Sequence, residues 1–176
     1  METVKQIHVG NTIVGGNGSL FVMAGPCVIE DPERTLNIGR KMKEICERLG
    51  LTYIFKASFD KANRSSYTSY RGPGLTEGLR ILGDIKKELQ VPVVSDVHEV
   101  HQVEAAAEVL DVIQIPAFLC RQTDLVEAAA ATGKCVNVKK GQFLAPEDMK
   151  NVVDKIVHSG NENIMLTERG ASPGLS

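Results

Sequence analysis

Between residues 20 and 167, short apolar runs alternate with amphipathic stretches, and this alternation constrains the fold more than any other feature. Leu20–Ala24, Thr52–Phe55, Val91–Val94, Val112–Ile115, Cys135–Val138 and Asn163–Leu166 read as strands. Ile38, Met42, Ile45 and Leu49 recur at helical spacing behind Asp31-Pro32, a capping residue followed by a proline suited to the first turn, and Gly50 stops that helix. Leu75, Leu79, Leu82, Ile85 and Leu89 mark a second helix. His101–Glu108, Asp124–Thr132 and a stretch opening at Pro146 mark three more. Strand and helix repeat five times and end on a strand, which predicts an α/β fold with a parallel sheet. The continuous apolar run Leu20–Ala24 predicts a strand buried on both faces. Ahead of it, Val4–Val9 and Thr12–Val14 flank Gly10-Asn11 and predict a small N-terminal hairpin. A doubly wound open sheet and a (β/α)8 barrel both fit the order. The chain has neither a GxGxxG fingerprint nor a P-loop, which weighs against a nucleotide-binding open sheet. Six strands fall short of the eight that close a barrel of ~250 residues.

Composition limits the functional classes. The 176 residues are 43% apolar and 24% charged, ordinary for one globular domain. Lys plus Arg number 20 against 22 Asp plus Glu, a formal net charge of −2, which argues against non-specific nucleic-acid binding. Tryptophan is absent and aromatics are 5%, a poor basis for base stacking. No run approaches the ~18 apolar residues of a membrane helix, and residues 1–20 lack a signal-peptide pattern. Cys27, Cys46, Cys120 and Cys135 form no CxxC pair and read as reduced thiols, so the expected compartment is the cytoplasm.

Every strand delivers polar groups at its C-terminal end. The first runs into Gly25-Pro26-Cys27. The second runs into Lys56, Ser58, Lys61, Asn63, Arg64 and Arg71. The others end at Asp96 and His98, at Gln114 and Arg121, at Lys139-Lys140, and at Glu168-Arg169. Parallel strands bring those ends to one face, where α/β active sites lie. Eight cations there face Asp60, Asp96 and Glu168, although the whole chain is slightly acidic. Focused positive charge predicts a small, multiply anionic ligand carrying phosphate and carboxylate groups. The alternative is scattered surface charge.

Within Lys61-Ala62-Asn63-Arg64-Ser65-Ser66, Arg and Ser suit a phosphate and Asn a hydroxyl, as a sugar phosphate would need. The same residues also suit a solvated turn. Cys27 reads as a packed small residue, a nucleophile or a metal ligand, and packing leads on residue chemistry alone. Cys46, next to the expected core position Ile45, reads as packing. His98 is a candidate by its strand-end position, whereas His8, His101 and His158 read as ordinary surface or helix residues.

Five blocks in order carry a resemblance. They are Ala24-Gly25-Pro26-Cys27, Lys56-Ala57-Ser58-Phe59-Asp60-Lys61 with Ala62-Asn63-Arg64-Ser65-Ser66, the run from Gln114 to Asp124, the run from Asn137 to Phe143, and Leu166-Thr167-Glu168-Arg169-Gly170. Together, over Val4 to Gly170, the chain resembles the 3-deoxy-D-manno-octulosonate 8-phosphate synthase family. The related heptulosonate 7-phosphate synthases share the Gly-Pro-Cys feature but typically read Lys-Pro-Arg-Thr in the sugar-phosphate loop. An inactive anion-binding relative is the third alternative.

The resemblance implies a (β/α)8 barrel family with an N-terminal hairpin, here with about six strands and five helices. It implies condensation of phosphoenolpyruvate with D-arabinose 5-phosphate and water, carbon three attacking the aldehyde and phosphate leaving by C–O cleavage. It places phosphoenolpyruvate on Lys56, Ser58, Lys61, Gln114, Pro116, Ala117, Lys139 and Arg169, with Asp96 nearby, and gives catalytic roles to Lys61, Asp96 and Lys139. Arabinose 5-phosphate falls on Asn63, Arg64 and Ser65, with Arg121 reaching in from a neighbouring subunit of a homotetramer. Cys27 stands where metal-dependent members have a ligand to zinc, iron or manganese, which turns the weighting of that residue towards coordination. The family's other ligands, a His, a Glu and an Asp, follow the Leu-Thr-Glu-Arg-Gly block together with the last two strands. The chain is therefore expected to be an incomplete barrel that is not a competent synthase alone. Its tail, Ala171 to Ser176, is expected to depart from the family.

Overall fold

The computed structural model describes residues 4–16, 18 and 20–170. The tail from Ala171 to Ser176 lies outside them. Strands β1 (Gln6–Val9) and β2 (Thr12–Gly15) form the expected antiparallel hairpin. There follow β3 (Phe21–Ala24), α1 (Pro32–Arg48), β4 (Thr52–Lys56), α2 (Leu75–Leu89), β5 (Val93–Asp96) and α3 (Val100–Val109). The chain continues through β6 (Val112–Ile115), α4 (Thr123–Ala131), β7 (Cys135–Lys139), α5 (Met149–His158) and β8 (Ile164–Thr167).

Strands β3 to β8 form one parallel sheet in sequential order. Every crossover therefore steps one strand in the same direction. Right-handed crossovers that never reverse leave all five helices on one face. A doubly wound sheet needs a reversal of strand order, and none occurs among the described strands. Of the two windings compatible with the sequence, the structure has the barrel-type one.

The two sheet faces carry different cores. Phe55, Val93, Ile113, Ile115, Val136 and Val138 point outwards and join Leu82, Ile85, Val126 and Ile156 of the helices. On the inner face, Ile54, Val94, Val112, Cys135 and Met165 form a layer that packs on Ile7, Val9 and Val14 of the hairpin. The hairpin thus plugs the end where the strands begin. His8 N–H donates to Asn163 Oδ1 at 3.0 Å and ties it there. Because side chains alternate along a strand, the inner positions just above this layer are Lys56, Asp96, Gln114, Asn137 and Thr167.

Several expectations change. The run Leu20–Ala24 is not buried on both faces: β3 is an edge strand among the described residues, with Leu20 80% and Phe21 36% exposed. A strand with one neighbour has one side covered by nothing, whatever its hydrophobicity. The third strand starts at Val93 rather than Val91, because Pro92 has no N–H to give the ladder. The Pro146 stretch begins as a 3-10 turn, and α5 starts at Met149. In α1 the core side is Thr35, Gly39 and Cys46, while Leu49 is exposed and Ile38 and Ile45 are half-buried. Gly39 decides this rotation. A Cβ there would lie 2.6 Å from a Leu89 methyl and 3.1 Å from the Phe55 ring, so the helix rests its glycine on the sheet. Cys46, Cys120 and Cys135 are buried, in line with packing, and burial pushes the Cys135 thiol up to about 12.

No helix among the described residues is long and apolar enough to cross a membrane.

Candidate functional site

The inner face at the C-terminal ends of the strands is where the polar groups converge. Lys56 ends β4 and is mostly buried, and its ammonium donates to Ser58 Oγ at 3.3 Å. Ser58 is fully buried, and its backbone carbonyl accepts from Ile29 N–H at 3.0 Å, so the Gly25-Pro26-Cys27 segment and the end of β4 are laced together. Gly25 is required by the approach of these two strand ends, since a Cβ there would sit 2.0 Å from the Lys56 carbonyl oxygen. Lys61 Nζ lies 3.8 Å from Asp96 Oδ2, and both side chains are largely buried.

Burial holds the Lys56 amine below the usual lysine range. The nearby charges of Lys61 and Lys139 push the same way, and Asp96 and Cys27 oppose them. Lys56, Lys61 and Lys139 therefore share one region with a single carboxylate. Three cations against one anion leave a surplus that a phosphate or carboxylate guest neutralises. A bound anion favours the protonated amine. The affinity for inorganic phosphate, read by calorimetry, is therefore expected to fall as pH rises through the lowered Lys56 pKa, earlier than an ordinary lysine would lose its charge. Lys56→Arg should move that fall to higher pH. An affinity that stays flat until the usual lysine range would show that Lys56 does not meet the anion.

The loop after β4 closes on itself. Lys61 N–H donates to the Arg71 carbonyl at 2.7 Å, and Gly74 N–H to the Phe59 carbonyl at 3.1 Å. Asn63, Arg64 and Ser65 sit exposed at its tip, and Arg64 Nε donates to the Tyr70 carbonyl at 3.2 Å. The Arg64 N–H donates to the Lys61 carbonyl at 3.3 Å, so the tip is a turn in which three polar side chains face outwards. Arg71 is not a free site cation: it makes a two-point pair with Asp60 at 2.8 and 2.5 Å.

His98 joins the cluster. It is half-buried and meets Phe59 edge-on at 6.1 Å between ring centres. Burial lowers its pKa, with Asp96 and Asp60 acting against that and Lys61 and Arg71 with it. Its buried Nδ1 has no hydrogen-bond partner.

Other sequence candidates separate. Lys140 belongs to the architecture: it is 3% exposed, and its ammonium donates to the carbonyls of Gly141, Leu144 and Gly170 at 3.3, 3.0 and 3.0 Å. Adjacent strand residues face opposite ways, so of the Lys139-Lys140 pair only Lys139 shares the face of Lys56. Pro116 caps a 3-10 turn at the end of β6, and Ala117 is buried there. Arg169 is exposed beyond β8. Arg121 is also exposed, and its carbonyl accepts from Lys155 on α5 at 3.2 Å, so its backbone sits against the helical layer.

Cys27 is exposed rather than packed. It lies close enough to Lys56 to act on its charge. Among the described residues no group of three or more His, Cys, Asp and Glu could hold a metal ion. A catalytic metal takes about three protein ligands or more. Cys27 alone does not make such a centre.

Asn137 and Thr167 enter the site without having stood among the sequence candidates. The available signal was alternation: Asn137 is two residues before Lys139, and Thr167 two before Arg169. A cavity of about 930 Å³ lies at the opposite end, between the hairpin tip and α2 and α3. Its lining mixes Arg80, Lys86 and Lys87 with Asp84, Glu108 and Asp111, so it has no charge surplus of one sign.

Comparison with known proteins gives a family and close relatives. A family model described as the DAHP synthetase I family matches residues 3–175. A 2-dehydro-3-deoxyphosphooctonate aldolase of Geobacter sp. (strain M21) is 62% identical over 172 residues, 98% of this chain and 63% of that relative. The protein of the same description from Trichlorobacter lovleyi is 61% identical over 172 residues, again 98% and 63%. That from Fusobacterium nucleatum subsp. nucleatum is 59% identical over 176 residues, 100% of this chain and 63% of the relative. The chain thus spans less than two thirds of the length of these relatives.

Proposed function

The chain belongs to the DAHP synthetase I family, and we propose that it carries the phosphoenolpyruvate and pentose-phosphate sites of a 2-dehydro-3-deoxyphosphooctonate aldolase on a (β/α)8-type scaffold. The reaction joins phosphoenolpyruvate, D-arabinose 5-phosphate and water to 3-deoxy-D-manno-octulosonate 8-phosphate and inorganic phosphate. The convergence of Lys56, Lys61 and Lys139 around the single carboxylate of Asp96 is the observation that supports this reading most.

In this reading Lys56, Lys61, Lys139 and Arg169 neutralise the carboxylate and phosphate of phosphoenolpyruvate, with Ser58, Gln114 and the Pro116-Ala117 turn around them. The exposed tip of Asn63, Arg64 and Ser65 takes the sugar phosphate. Carbon three of the enolpyruvate then attacks the aldehyde, water adds at carbon two, and phosphate leaves with its bridging oxygen. Lys61 and Lys139 stabilise charge that develops on the transferred groups, and Asp96 holds Lys61 in place. Cys27 as one ligand of a metal that other groups would complete, assembly into a tetramer with Arg121 serving a neighbouring site, and a cytoplasmic location belong to the same proposal.

Calorimetry with each substrate, followed by a phosphate-release assay with both, tests it. Arg64→Ala is expected to weaken arabinose 5-phosphate binding about tenfold to a hundredfold, through loss of a charge-assisted contact. Phosphoenolpyruvate binding should survive. Equal loss of both ligands would refute the division of the site. The family description also fits the heptulosonate reading, for which erythrose 4-phosphate in place of arabinose 5-phosphate is the discriminating substrate.

A further inference from the structure

A polar row crosses the inner face from β8 to β5. Gln114 stands opposite Asp96 on one side and Asn137 on the other, and the Thr167 side chain reaches back to Asn137. Thr167 Oγ1 donates to Asn137 Oδ1 at 2.9 Å, Asn137 Nδ2 donates to Gln114 Oε1 at 2.9 Å, and Gln114 Nε2 donates to Asp96 Oδ1. Every bond points the same way. The other Asp96 oxygen faces Lys61.

The direction follows from chemistry. A carboxylate accepts and cannot donate. Gln114 must therefore turn its NH2 to Asp96 and its oxygen to Asn137. Asn137 then has to offer its own NH2 to Gln114, which turns its oxygen to Thr167. Neither amide can flip without setting two oxygens against each other. Gln114 and Asn137 are 1% exposed, so water cannot repair a broken link cheaply.

We propose that Asn137 and Thr167 are positioning residues of the anion site. Through Gln114 they commit one Asp96 oxygen to the sheet and leave the other turned to Lys61. The identity of the anion rests on the function proposed above; the row itself does not.

Two readouts test this on the chain: the side-chain amide signals of Gln114 and Asn137 in 15N-labelled protein, and phosphoenolpyruvate affinity by calorimetry. Thr167→Val keeps the shape and removes the donor. It should displace the Gln114 amide signals and weaken phosphoenolpyruvate about threefold to tenfold. Thr167→Ser should restore both. Asn137→Asp sets an acceptor against the Gln114 oxygen at neutral pH, so Gln114 is disordered there. Lowering the pH protonates the introduced carboxyl, which can donate again, and the Gln114 signals should recover. Gln114 signals that stay in place in Thr167→Val, a Ser variant no better than Val, or no recovery of Asn137→Asp at low pH would each overturn the proposal. An unsubstituted chain that binds no phosphoenolpyruvate would count against the functional reading alone, because the amide signals still decide the row.

Discussion

Replacing Lys140 with Met is expected to remove about 3–5 kcal/mol of stability. The ammonium is almost fully buried and holds three backbone carbonyls, two in the loop after β7 and one beyond β8. Glu168 Oε1 lies 3.4 Å away as the nearest opposite charge. Desolvating a lysine is expensive, so removing the charge returns some free energy. Against that, the three carbonyls lose their donor, and hydrogen bonds from a charged group contribute ~1.5–3 kcal/mol each. The bonds outweigh the returned desolvation. Net stability of a domain is only ~5–15 kcal/mol, so urea denaturation should show a midpoint lowered by about 1–2 M. Amide exchange should speed up at Gly141, Leu144 and Gly170. A midpoint unchanged within error would show that the carbonyls find other partners and that Lys140 ties nothing together.

Lys61→Ala is expected to weaken phosphoenolpyruvate about tenfold to a hundredfold, while the melting temperature changes little. The separation from Asp96, 3.8 Å, is long for an ion pair, and Lys56 and Lys139 remain in the same region to offset that carboxylate when Lys61 is removed. Its value lies in the ligand-bound state, where a largely buried ammonium meets an anion at low dielectric. The same calorimetric titration on Arg64→Ala supplies the contrast, since Arg64 sits at the exposed loop tip. Matching losses in the two variants would mean that the cations act only as a general positive field. A large loss of melting temperature in Lys61→Ala would instead make Lys61 a structural residue.

Local patterns in the sequence were sufficient for the elements themselves. β6 spans Val112–Ile115 as its apolar run indicates, and Leu79, Leu82, Ile85 and Leu89 of α2 are buried as their spacing indicates. The loop between β4 and α2 and the hairpin were equally legible; of the eight strand-end cations, Lys56, Lys61 and Lys139 come together, while Arg71 and Lys140 are engaged elsewhere. Each depends on residues within a few positions of one another, where the 2-residue and 3.6-residue periods act. The five motif blocks pointed to the same family as the comparisons.

Other features are relations between distant residues, and only tertiary structure decided them. Leu20 and Phe21 are as apolar as a central strand, but their exposure follows from the place of β3 at the end of the strand order. The rotation of α1 follows from Gly39 meeting Phe55 and Leu89. Lys139 and Lys140 are chemically the same. Strand register turns one towards Lys56 and sends the other into three carbonyls, because alternate residues of a strand serve opposite faces. Asn137 and Thr167 became part of the site for the same reason: each lies two residues from a site cation, but it is pairing across β5, β6, β7 and β8 that links them to a carboxylate 41 and 71 positions earlier. Sequence determined which segments become strands and helices, since those preferences are local. Which side chains share one buried level was decided by the pairing of strands, a long-range choice that only burial of the whole sheet can fix.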